Sequence, residues 1–152
     1  MVLYMSDKIS ADTKSLREYL VSVDRVTKVV KGGRILNFSA TVVVGDGDGL
    51  VGFAKGRAKE VSVAVQKAVE KAKKSMIKVN IVSGTLPKKA TVKYGSSTLY
   101  VIPCTSGVGL VSGGAARVVF SAAGVKNIFS KIRGSRNPKN VVRATFKALS
   151  SM

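Results

Sequence analysis

Between residues 16 and 53 apolar side chains recur with a period of two. Tyr19, Val21 and Val23 alternate with polar or smaller residues. Leu36, Phe38, Ala40, Val42 and Val44 fall on one face, with Asn37, Ser39 and Thr41 on the other. Successive strand side chains point to opposite faces, so the pattern predicts half-buried antiparallel strands. Lys31-Gly32-Gly33-Arg34 and Gly45-Asp46-Gly47-Asp48-Gly49 supply the reversals, and Leu50 to Lys55 is the third strand. At Glu60 the period changes. Val61, Val65, Ala68, Val69, Ala72 and Met76 recur at helical spacing, with Lys67, Lys71 and Lys74 outside the stripe. Glu60 stands near the helix start and Lys73, Lys74 and Lys78 near its end, as the helix dipole favours. The first unit is expected to be a three-stranded antiparallel sheet with one helix packed on a single face.

Thr85-Leu86-Pro87-Lys88-Lys89 interrupts this pattern and marks a boundary. Beyond it, Thr91 to Tyr94 and Thr98 to Ile102 predict a hairpin around Gly95-Ser96-Ser97. A glycine-rich loop spans Thr105 to Gly114. A small-residue helix is expected over Ala115 to Ala123, with Gly124 as its C-terminal cap, and a strand over Val125 to Ile132. Asn137-Pro138 is a helix start, with Asn as cap and Pro in the first turn. Val141, Thr145, Ala148 and Leu149 then form the buried stripe of a last helix. The chain thus divides into a flexible polar lead-in over 1–15, a first domain over 16–80 and a second over 81–152. A half of about 70 residues buries only about 60% of its unfolded surface, so the halves are expected to lean on each other or on a partner.

Charge decides what kind of partner. The 152 residues carry 26 Lys and Arg against 8 Asp and Glu, a net +18, and Glu70 is the last acidic residue. A surface of one sign repels itself, and the phosphate backbone of nucleic acid is the commonest environment that offsets this. With 45% hydrophobic residues the chain is not a disordered basic tail. The same composition narrows the chemistry. There is no His, and Cys104 is the only cysteine, so an intrachain disulfide, a thiol–imidazole pair and a zinc site all lack members. No apolar run approaches the roughly 20 residues of a membrane helix, and the reading includes no membrane partner. Gly107-Val108-Gly109 to Gly113 misses the dinucleotide fingerprint, and no acidic residue follows it to hold a ribose. Counting twelve from Asp46 reaches Arg57 where an EF-hand needs Glu, so the Asp46–Asp48 segment reads as a turn. No catalytic residue, metal or cofactor is assigned, and the chain is not expected to be an enzyme.

The candidate phosphate contacts are two clusters. Arg25, Lys28, Lys31 and Arg34 surround Gly32-Gly33, where bare backbone amides can approach a phosphate. Lys55, Arg57 and Lys59 are placed where the third strand meets the helix start. There they oppose the dipole unless a phosphate sits between. Phe38, Phe53, Tyr94 and Tyr100 occupy strand positions that favour core packing over base stacking.

Three runs carry a resemblance: DRVTKVVKGGRILNFSATVVVGDGDGLVGFAKGRAKEV from Asp24 to Val61, SGVGLVSGGAARVVFSAAGVKNI from Ser106 to Ile128, and GSRNPKNVVRATFKAL from Gly134 to Leu149. They resemble the small-subunit ribosomal protein five family from about Leu16 onward. The resemblance implies an α+β chain. Its first domain would be like a double-stranded-RNA-binding fold, followed by a two-layer α/β domain with a four-stranded sheet and two helices. It implies a structural rRNA-binding protein of the ribosome, in a bacterial cytoplasm or an organelle, that supports assembly and decoding accuracy. Its neighbours would be small-subunit proteins four and eight and the path by which mRNA enters. The loop matching Thr27 to Arg34, with Thr27, Lys31, Gly32 and Gly33, would border the spectinomycin site. Gly107, Gly109 and Arg117 would face a neighbouring protein. Free double-stranded-RNA-binding domains carry a KKxAK cluster where this chain reads Ala58-Lys59-Glu60-Val61, so their RNA contacts do not transfer.

Overall fold

The structure, a computed structural model, describes residues 15–152, and all but the last residue of the expected lead-in lies outside them. Three long strands come first: β1 (Arg17–Val30), β2 (Gly33–Gly45) and β3 (Leu50–Ala58). Helix α1 (Val61–Lys74) follows, and then β4 (Ile77–Lys78). The sheet order is β1-β2-β3-β4, all antiparallel. The sheet is therefore four-stranded, not three-stranded. The fourth strand is two residues, Ile77 and Lys78, paired with Val51 and Leu50, and a segment that short leaves no period to read.

The second sheet comprises β5 (Ala90–Tyr94), β6 (Ser97–Pro103), β7 (Leu110–Val111) and β8 (Ile128–Gly134), in the order β5-β6-β8-β7. Only β7 and β8 run parallel. Between them lies α2 (Gly114–Ala123), and α3 (Pro138–Ser150) closes the fold. The last strand starts three residues later than its apolar pattern suggested. Val125 is buried but belongs to the turn after α2, where its N–H donates to the Phe120 carbonyl at 3.0 Å. Gly124 caps α2 in the left-handed conformation, φ 90°, and the Asn137 side chain caps α3 by accepting from the Lys139 N–H at 3.1 Å, as the sequence predicts.

The alternation along β2 has a different cause from the one expected. From Ser39 to Gly45 every residue is buried, the nominally polar positions Ser39 and Thr41 included. One face of the strand, with Val42 and Val44, packs on Ala68, Val69 and Ala72 of α1. The other face, with Val43, joins Val51 in a core shared with Leu99, Phe120, Ile128, Val141 and Leu149 of the second unit. The sheet is sandwiched between α1 and the C-terminal half. The Phe53 and Phe146 rings meet across this seam, centroids 4.4 Å apart.

Contact at the seam is backbone-close. The Gly47 and Gly49 N–H groups donate to the Ala122 and Ala123 carbonyls at 3.1 and 2.9 Å, satisfying the free end of α2. A Cβ on Gly45 would lie 2.1 Å from the Ala122 oxygen, and one on Gly124 would lie 2.1 Å from the Gly47 oxygen. The connecting segment is also anchored, with Leu86 1% exposed.

Candidate nucleic-acid interface

β2 pairs with β3 only as far as Phe38, whereas its pairing with β1 continues to Val30 and Gly33. The first five residues of β2, 33–37, and their partners on β1 form a bare two-stranded ribbon. It extends about 17 Å past the sheet at about 3.4 Å per residue. Lys31 and Gly32 make its two-residue turn, with Gly32 at φ 95°. Register assigns the predicted cations to places. Arg25 lies opposite Phe38 at the ribbon's base, Lys28 opposite Ile35, and Arg34 opposite Val29. Strand alternation then puts Arg25, Thr27 and Arg34 on one face and Lys28 on the other, with Lys31 at the tip. They line two faces and an edge, so a single cluster around Gly32-Gly33 is not formed. The tip is also partly apolar: Val29 is 76% exposed, with Ile35 and Leu36 exposed beside it. The VTKVVKGGRIL run encodes this, since its apolar residues outlast the width of sheet available to cover them.

Lys55 and Arg57 are not at a helix start. They belong to β3, opposite Thr41 and Ser39 of β2. Gly56 between them faces α1, because a Cβ there would lie 2.1 Å from the Ala64 oxygen. Lys55 and Arg57 therefore project from the seam face of the sheet. Only Lys59 precedes the helix, whose N-cap, Glu60, makes no side-chain capping bond. The strand outruns its predicted end because Gly56 and Ala58 continue the ladder with Ala40 and Phe38.

On the seam face the shared apolar core gives way to a polar cleft of about 170 Å³, lined by Thr41, Phe53, Lys55, Asn137, Lys139, Asn140 and Arg143. Lys139 pairs with Asp24 at 2.7 Å. Arg143 donates to the Tyr94 hydroxyl at 2.5 Å and lies over that ring. Desolvation, then the nearby Lys139 cation, then Arg57, hold the Lys55 ammonium below the usual lysine range, while Asp24 acts in the opposite sense. The cation-lined cleft was not foreseen, because Lys139 and Arg143 are separated from Lys55 by more than 80 residues of chain.

In the second unit the Gly109 N–H donates to the Asn127 Oδ1 and its carbonyl accepts from the Ile128 N–H, both at 3.1 Å. The glycine-rich loop thus packs on its own domain, with Gly107 in open space and Arg117 exposed on α2. Asp46 Oδ1 accepts from the Asp48 and Leu50 N–H groups at 2.8 and 3.0 Å, which makes the segment the turn its sequence suggested. Among the described residues no three metal-ligating side chains converge, and no helix is long and apolar enough to cross a membrane.

Residues 16–80 match the family described as "Ribosomal protein S5, N-terminal domain", and residues 92–152 match "Ribosomal protein S5, C-terminal domain". The chain is similar to small ribosomal subunit protein uS5 of Alkalilimnicola ehrlichii, 51% identical over 93% of this chain and 86% of that protein. It is similar also to that of a Psychrobacter species, 53% identical over 90% and 83%, and that of Tolumonas auensis, 49% identical over 95% and 87%.

Proposed function

The chain belongs to the ribosomal protein S5 family, and from this membership we propose that it stands at the neck of the small subunit, beside the side at which mRNA enters. It is a structural rRNA-binding protein of the small ribosomal subunit and not an enzyme. In the proposed placement the β1–β2 ribbon reaches into folded rRNA. Arg25 and Arg34 engage phosphates from one face, Lys28 from the other and Lys31 at the tip. Arg57, exposed on β3, and Lys59 before α1 extend the contact. The single observation carrying this is the ribbon itself. A two-stranded hairpin is marginal in water, and one that also exposes Val29, Ile35 and Leu36 is built for a partner that covers it.

Phosphate neutralisation supplies the affinity and RNA shape the placement. Thr27, Lys31, Gly32 and Gly33 at the ribbon end border the spectinomycin site in this reading. Gly107, Gly109 and Arg117, on the far unit, face small-subunit protein four, with protein eight the other neighbour. Through them the chain influences decoding accuracy. The domain limits 16–80 and 81–152 and a bacterial cytoplasmic ribosome complete the proposal. Tagged protein expressed in its host should sediment stoichiometrically with small subunits, and a crosslink map should place residues 27–34 on rRNA of the neck. Absence from subunits, or ribbon crosslinks confined to protein, would refute the placement.

A further inference from the structure

We propose that the seam cleft is a phosphate-binding cradle, in which the Lys55 and Lys139 ammonium groups, the Arg143 guanidinium and the Thr41 hydroxyl hold one phosphate group. Thr41 carries the first argument. It is 3% exposed, lies on the cleft wall, and its Oγ1 has no hydrogen-bond partner among the described residues. A buried hydroxyl without a partner is uncommon and calls for a missing acceptor or donor. Charge carries the second. Three cations line the cleft, and among the described residues the carboxylate beside it, Asp24, is bound to Lys139. Lys55 has no ion-pair partner among the described residues and lines the same cleft as Lys139 and Arg143. Cations gathered in one cleft repel one another, and a bound anion relieves that repulsion. The cleft also opens at the start of α3, whose first turn contains no acidic residue to complement the helix dipole.

Geometry selects the anion. The donors come from β2, β3 and two successive turns of α3, so they converge from different directions. A tetrahedral phosphate presents oxygens to all of them, whereas a planar carboxylate presents two. A volume of about 170 Å³ is small against the ~300 Å³ lower bound of ordinary ligand pockets, so it suits a phosphate with its water and not a whole nucleotide. The phosphate is either an RNA phosphodiester or free inorganic phosphate. The first source rests on the ribosomal placement above; the cradle itself does not. Asp24 competes with the ligand for Lys139, which gives the proposal a prediction of opposite sign.

The test is an NMR titration of the full chain with inorganic phosphate against chloride at equal ionic strength. Saturable shifts are expected at the Thr41, Lys139 and Asn140 amides. Thr41→Val should weaken this binding about tenfold, as loss of a hydrogen bond to a charged group requires, while Thr41→Ser retains it. Asp24→Asn should tighten it about threefold by freeing Lys139, and Lys67→Ala on the exposed face of α1 should leave it unchanged. Shifts that never saturate, or that are the same in Thr41→Val, overturn the cradle even if the chain still sediments with small subunits. Lysine acetylation separates the sources. Lys139 masked in assembled subunits but reactive in free protein supports a phosphodiester. Lys139 equally reactive in both overturns the RNA source and leaves free phosphate as the ligand.

Discussion

Gly124, like Gly134, is a position where a single methyl group would meet both a left-handed backbone and a backbone oxygen. Its φ of 90° disfavours any side chain, and an added Cβ would collide with the Gly47 oxygen at 2.1 Å. Gly124→Ala is expected to cost about 3 kcal/mol or more in a denaturant melt, strain and overpacking together. Asp46→Ala removes the acceptor of two turn N–H groups and should cost about 1–2 kcal/mol by the same measurement. Lys55 gives a pH prediction. Its folded-state value is lowered by desolvation, Lys139 and Arg57, so between that value and the ordinary lysine value the unfolded chain holds more protons. Stability from this group therefore rises with pH across that window and is least where the ammonium is charged in both states. In chloride buffer Lys55→Met should raise the melting temperature at pH 7, with the gain shrinking as pH approaches the lysine range. A lowered temperature at pH 7 would contradict this. The caps Gly124 and Asn137 were legible because a cap is a local event written in one or two residues. The role of Gly124 against Gly47 was not, since it depends on a backbone 77 positions away.

At the level of elements, the ribbon separates what periodicity can and cannot reveal. Alternation located β1 and β2 and the turn at Lys31-Gly32, because strand and reversal are both short-range patterns. It could not reveal that β3 stops short of the ribbon, or that Arg25 and Lys28 end on opposite faces, since both follow from pairing register. It also ended β3 at Lys55 and so left Arg57 beyond the strand. A Lys-Gly-Arg run reads as a loop until α1 is seen to need the glycine. β4 and β7, two residues each, are made by their neighbours. The ribbon's proposed role is measurable through salt. Lys31→Ala with Arg34→Ala should flatten the dependence of rRNA affinity on salt by about two ion-release units. An unchanged slope would remove both residues from the interface.

Across the whole molecule, the two-unit division was legible in the break at Thr85–Lys89, and the mutual support of the halves was expected from their size. The way they join was hidden. Ser39 and Thr41 read as a solvent face, yet they are covered from the C-terminal side, because short hydroxyl side chains fit where another layer packs closely. With Val43 and Val51 in one core with Phe120 and Leu149, unfolding should be a single transition, with calorimetric and van't Hoff enthalpies equal. Phe146→Ala, which removes the ring packed on Phe53, should lower stability by about 3–4 kcal/mol without splitting the transition. Two resolved transitions would show that the shared core does not couple the halves.

A strand gripped on both flanks has a mechanical corollary. β2 runs from the Val43 seam straight into the ribbon, with no hinge along its thirteen residues. It acts as a stiff pointer fixed at one end. A tilt of about 5° imposed on the C-terminal half would sweep the far end by about 1.5 Å over a 17 Å arm, half the length of a hydrogen bond. Pressure from a neighbour on one side of this protein can thus be registered at a distant tip without any bond being remade between them.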